Sequence, residues 1–228
     1  NHGLILWIGD YGNQRLNLPG IDLDAQNARK IATAMGVPSQ NIKEVANAQL
    51  TRGNIANELG SLASRIKSGD KVFIYYSGHG HQTKGTSGAR CNESLVARGP
   101  DLYTDTEMQD ALSRLGAKAS QVVMMNDSCF SGGAATKSLD SRSLDGAVSK
   151  FYPDEIKGNT AVTDSYQCGD ATNKMTRNLE PMAAKTNVLY VAASTDTQVS
   201  YATSRGSAAT LAWVSCLTNG GADANRSG

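Results

Sequence analysis

The sequence has little of what marks a specialised scaffold. It holds only four cysteines in 228 residues, Cys91, Cys129, Cys168 and Cys216. That is too few for a disulfide-built framework. None makes a C-x-x-C pair, which removes the usual zinc spacing. One pair, Cys91 with Cys168, is a candidate bridge if the protein is exported. An excess of either charge is also lacking: 22 basic against 21 acidic residues leave a net charge of +1. Neither nucleic acid nor an anionic membrane is therefore expected as a partner. No apolar run approaches the roughly 18 residues of a membrane span, so a soluble protein, cytoplasmic or exported, is expected. Aromatic residues are sparse at 6%, whereas glycine is common at 23 residues, which suits many tight turns and loops. The chain starts at Asn1 without Met and reads as a mature form or an excised domain, leaving any targeting segment out of view.

What is present is ordinary globular material, 39% hydrophobic and 19% charged, enough for one sizeable α/β domain. The run from Gly3 to Gly9 is short, apolar and bounded by glycines, and predicts a buried strand. Helical spacing follows over Ile21 to Met35, closed by Gly36 and Pro38. A short strand is expected at Ile42 to Ala46. A second helix spans Thr51 to Ile66, capped by Thr51 and burying Ile55, Leu59, Leu62 and Ile66. Lys71 to Tyr76, Gln121 to Asn126 and Val188 to Ala193 read as further strands. Thr104 to Leu115 and Thr210 to Leu217 read as helices. Gly85 to Gly99 is expected to be a loop, and Ala134 to Lys185 a polar, weakly periodic linker. Strands alternating with helices indicate a mainly parallel sheet with helices on both faces.

Sites in such sheets form at the carboxyl ends of the strands. Two positions there carry chemistry. His79 follows one strand in Ser77-Gly-His-Gly80, and Cys129 follows another in Asp127-Ser-Cys-Phe-Ser-Gly132, 50 residues later. A thiol becomes a good nucleophile as the thiolate. A neighbouring imidazole can take its proton and return one to a leaving amine. Taken singly, such a cysteine is usually a small buried hydrophobe and such a histidine a turn residue. Both at strand tips, each in a Gly/Ser-rich turn, they read as a nucleophile and its acid–base partner. Gly78 and Gly80 allow a sharp turn, and the amides of Gly80 and Cys129 are candidate oxyanion donors. His2 precedes the first strand, and His81 is expected to point away from His79, so both are weaker candidates. No Gly-rich phosphate loop follows the first strand, which argues against a flavodoxin-like nucleotide binder.

Tyr76-Ser-Gly-His-Gly80 and Asp127-Ser-Cys-Phe-Ser-Gly132 together resemble the catalytic motifs of metacaspases and orthocaspases, with Phe130 where the second motif usually has His. Leu18 to Ala25 and Val188 to Ser200 are similar to further parts of the family, so the resemblance covers nearly the whole chain. It implies the caspase–haemoglobinase fold, a three-layer αβα sandwich around a mainly parallel sheet. In that frame residues 1–133 are large-subunit-like, 134–185 a flexible linker and 186–228 small-subunit-like.

The resemblance further implies a cysteine endopeptidase that cuts protein or peptide substrates after Arg or Lys, and matching residues places Asp24 and Asp127 in the S1 pocket. A buried guanidinium or ammonium needs such partners. Asp22 is an alternative to Asp24, which as a plain first-turn charge would suit the helix dipole. Ser194 and Asp196 are expected along the substrate groove. Calcium requires six to eight oxygens. In the region matching the family's calcium site, Asn92-Glu93 and Asp105-Thr-Glu107, Asn92 stands where an Asp is usual. Thr136 stands where a further acid is expected. No cofactor is expected to be required, and strong calcium dependence is not expected. The linker carries Lys137, Arg142, Lys150, Lys157, Lys174, Arg177 and Lys185, and self-cleavage after one or more of them is expected. A monomer is expected. The alternatives are a legumain- or gingipain-like peptidase of other specificity and a catalytically silent caspase-like binding or signalling module.

Overall fold

A computed structural model describes residues 1–84, 91–129, 146–152, 156–158, 187–194 and 199–218. Five strands form a wholly parallel sheet: β1 (His2–Trp7), β2 (Ile42–Ala46), β3 (Lys71–Ser77), β7 (Gln121–Asp127) and β9 (Val188–Ala192). Their order is β2-β1-β3-β7-β9. Side chains alternate across a strand, so each central strand feeds two cores. Leu4, Leu6, Ile74, Tyr76, Val122 and Met124 pack on one face with α2 (Arg52–Arg65) and α3 (Asp105–Gly116). Ile5, Phe73, Tyr75, Val123 and Met125 pack on the other with α1 (Ile21–Ala34) and α4 (Ala208–Thr218). The central strands are buried on both faces, which is why they read as unbroken apolar runs. Thr51 caps α2 by accepting from the Asn54 amide, and Thr104 and Glu107 form a reciprocal capping box on α3.

Two expectations need correction. The stretch from Gly85 to Gly99 is not wholly loop. Cys91–Ala97 is β5, the middle strand of an antiparallel sheet between β4 (Gly80–Lys84) and β6 (Asp101–Thr104). Its polar start and lack of clean alternation hid it, because its stability comes from pairing on both sides. The second correction concerns the linker. Within it, β8 (Val148–Ser149) pairs antiparallel with β10 (Tyr201–Ala202), with Ser149 opposite Tyr201 and Val148 opposite Ala202. Residues Lys150 to Tyr152 continue from β8 across the tips of β3 and β7 and are buried. The remainder of 134–185, apart from 146–152 and 156–158, lies outside the described residues, as does Cys168.

Candidate active site

In β3 and β7 Ser77 and Asp127 lie side by side in register. The Gly78 amide reaches the Asp127 carbonyl at 3.4 Å. His79 and Cys129 each follow two residues later, so both leave the sheet at adjacent strand tips. Gly78 has to be glycine: a Cβ there would lie 2.6 Å from the Tyr76 hydroxyl and 2.8 Å from Ile8 Cγ2. The turn that carries His79 is thereby pressed against the core. Tyr11 pins it further, its hydroxyl accepting from the His79 amide at 2.8 Å.

The His79 ring is only 3% exposed. Its Nε2 lies 2.8 Å from the Leu16 carbonyl, and a carbonyl can only accept, so the proton sits on Nε2. Nδ1 then presents a lone pair. It is the one buried side-chain nitrogen or oxygen among the described residues with no hydrogen-bond partner, an arrangement that proteins ordinarily avoid. Burial pushes the imidazole down to about 4, so it is a neutral base at neutral pH. Cys129 is fully buried, packed against Phe151 and Val199.

Beneath them lies an acidic pocket. Asp24 and Asp127 are both fully buried, whereas Asp22, the alternative to Asp24, is exposed. Asp24 Oδ1 accepts from the Ser207 amide at 2.7 Å, and Oδ2 from the hydroxyls of Ser77, at 2.9 Å, and Ser207. Asp127 Oδ1 accepts from Ser200 Oγ at 2.8 Å, and Oδ2 from the Thr210 hydroxyl at 2.5 Å and amide at 3.2 Å. Gly206, at φ 105°, brings the backbone so close that a Cβ would lie 3.0 Å from Asp24 Oδ1. Desolvation raises the Asp24 carboxyl, a shift that the nearby Lys150 charge opposes.

Lys150 fills this pocket. Its ammonium lies 2.8 Å from Asp127 Oδ1, 2.8 Å from Ser77 Oγ and 3.6 Å from Asp24 Oδ2, with no exposure. Its backbone is held as firmly. The Lys150 amide donates to the Ser200 carbonyl at 3.0 Å, and the Lys150 carbonyl accepts from the Gly80 amide at 2.8 Å. The Gly80 amide is thus not vacant; the carbonyl it holds belongs to a lysine seated between two carboxylates.

Of the remaining candidates, Ser194 is buried and donates at 3.2 Å to the carbonyl of Ser128, the residue before Cys129. Asp196 lies outside the described residues. His2 is at the far end of the sheet beside Asp70. His81 is buried, and its Nδ1 lies 3.0 Å from the Tyr152 carbonyl. Among the described residues, no group of three His, Cys, Asp or Glu side chains is placed to hold a metal ion. No described helix is long and apolar enough to cross a membrane. Sequence reasoning missed Ser77, Ser200, Ser207 and Thr210 as pocket residues. The density of hydroxyls from Ser200 to Thr210, just where α4 begins, was the available signal.

The buried imidazole has a measurable consequence. Its folded value of about 4 lies below the ordinary 6.5, so between those pH values the unfolded chain binds the proton and the folded chain does not. Stability from this group is complete above pH 6.5 and is lost as pH falls towards 4. The raised Asp24 carboxyl contributes the opposite slope. The difference between the chain and its His79→Gln variant isolates the histidine. Urea titrations should show that difference shrinking with acidification, by at most about 1.4 kcal/mol per pH unit. Parallel stability curves would place His79 in water.

A family model described as the caspase domain matches residues 1–226. Metacaspase-6 of Arabidopsis thaliana is 28% identical over 134 residues, covering 54% of this chain and 36% of that protein. Metacaspase-7 of the same plant is 32% identical over 89 residues, 37% of this chain and 22% of its own length. The chain therefore spans about a third or less of these relatives. Among solved structures, protein GSU0716 from Geobacter sulfurreducens is similar with a TM-score of 0.64 at 20% identity, over 96% of this chain and 83% of that one. With the sheet order, the two helical layers and the paired strand-tip motifs already in place, the match along almost the whole length shows that this chain belongs to the caspase-domain family and is metacaspase-like.

Proposed function

We propose that the chain is a cysteine endopeptidase that cuts after lysine or arginine, and that the bond between Lys150 and Phe151 is its first substrate. The observation that carries this reading is the seating of Lys150. Its side chain satisfies a doubly acidic, buried pocket while its carbonyl rests on the Gly80 amide. Buried carboxylates as close as these need a cation, and a basic residue before the cut supplies it. The strand formed by Val148 and Ser149 on β10 is how an extended peptide adds to a sheet edge.

The chemistry follows from the placements. His79 Nδ1 takes the Cys129 proton, and the thiolate sulfur attacks the Lys150 carbonyl carbon. Charge gathers on the carbonyl oxygen, where the Gly80 amide already donates. The carbon–nitrogen bond to Phe151 breaks as the imidazolium returns its proton to the departing amine. Water then attacks the thioester, giving its proton to His79, and the thiol is regenerated beside a free Lys150 carboxylate. Until that cut the segment Val148 to Tyr152 occupies the groove, so the uncut chain blocks its own site.

Incubated alone, the purified chain should yield a fragment ending at Lys150 and one beginning at Phe151, read by mass spectrometry. A lysyl chloromethyl ketone added after the cut, when the groove has been vacated, should attach to Cys129 and stop turnover of basic peptides. New termini that arise elsewhere while the Lys150–Phe151 bond persists would count against the reading.

A further inference from the structure

The residues that follow Lys150 are held in as much detail as those before it. Tyr152 donates its amide to the Gly80 carbonyl at 2.8 Å, so Gly80 grips the segment on both sides of Phe151 in a parallel bridge. The next backbone group, the Tyr152 carbonyl, lies 3.0 Å from His81 Nδ1. Since that carbonyl accepts, Nδ1 carries the proton. The two side chains are placed by rings. Phe151 lies parallel to the His81 imidazole, with centroids 6.4 Å apart and planes at 12°, and also covers Cys129. Tyr152 stands edge-on to both histidines, at 5.8 Å from His79 and 6.0 Å from His81. Phe151 is 6% and Tyr152 5% exposed. A linker read as polar thus contributes two buried aromatic residues directly after its buried lysine.

We infer that His81 and the Gly80 carbonyl form a leaving-side subsite that selects peptides carrying aromatic residues at the two positions after the cut. This rests on the proposed cleavage between Lys150 and Phe151. In it His81 is a substrate-binding residue: its ring is the platform for the first leaving-side residue, and its N–H fixes the backbone of the second. Apolar and ring–ring contact on such a platform adds to plain area burial. The preferred substrates therefore have the form basic–aromatic–aromatic, and their second products begin with an aromatic residue.

The test compares two peptides on the processed chain, one containing Val-Ser-Lys-Phe-Tyr and one containing Val-Ser-Lys-Gly-Ser. The first should be cut with a kcat/KM at least about tenfold higher. The ratio should fall towards one in His81→Ala, and in His81→Gln, which keeps a donor but loses the ring. The wild-type comparison stands even if the buried substitutions unfold the chain. Equal rates on both peptides, with no cleavage when Lys is replaced by Asn, would overturn the leaving-side subsite and leave the lysine reading intact. Cleavage of neither peptide would overturn both.

Discussion

Replacing Cys129 by alanine should leave the Lys150–Phe151 bond whole and reduce turnover of basic peptides by a factor on the order of 10⁴ or more. In enzymes where nucleophile and base act as one unit, losing either costs nearly as much as losing both. What remains is the pocket and the Gly80 amide, which bind but do not acylate. The substitution removes only a sulfur from a side chain packed against Phe151 and Val199, so folding should survive. The uncut segment then stays docked, with Lys150 buried among Asp24, Asp127 and Ser77. Trypsin added to the Cys129→Ala chain should therefore spare Lys150 while cutting exposed sites. Fragments identical in the variant and the wild type would end the assignment of Cys129, because the cut would then come from another source.

The same docking explains how far the sequence could be read. His79 and Cys129 were legible because their signal is local: each sits in a short glycine-bearing turn directly after an apolar strand, and the parallel register of β3 and β7 does the rest. Asp24 and Asp127 were legible through the resemblance, and burial separates Asp24 from exposed Asp22. Lys150 was not distinguishable from the other basic residues of its segment. What selects it is remote: Ser77 is 73 residues away, and the Gly80 amide comes from the same turn. The hydroxyls of Ser200, Ser207 and Thr210 were invisible for the same reason. They act on carboxylates 73, 183 and 83 residues distant. β5 went unread because pairing with β4 and β6, rather than its own pattern, makes it a strand. The sequence predicts that His81 points away from His79; its ring nevertheless meets the same segment, through Phe151 and Tyr152.

Asp127→Asn should cost far more than Asp24→Asn, although both carboxylates line one pocket. Asp127 makes the direct contact with the Lys150 ammonium, at 2.8 Å against 3.6 Å for Asp24. Its other oxygen is held by two donors from Thr210. An amide at 127 has one oxygen for two sets of donors. Either its NH₂ group meets the ammonium, or it meets the Thr210 amide and hydroxyl. The Thr210 hydroxyl can turn onto the Tyr75 oxygen, 2.6 Å away, but the Thr210 amide can only donate and is left facing the NH₂ group. Breaking one partner of a buried charge pair costs about 3–5 kcal/mol. At about 1.4 kcal/mol per decade, kcat/KM for lysine peptides should fall by roughly 10² to 10⁴. Asp24→Asn keeps the direct contact and should lose about tenfold, in the range of a hydrogen bond to a charged group. The loss should be specific to a cationic residue before the cut, so the ratio of lysine to norleucine peptides is the quantity to follow. Equal losses on both peptides would mean that Asp127 supports the strand tip rather than the substrate's charge. A larger loss from Asp24 than from Asp127 would reverse the geometry on which the pocket assignment stands.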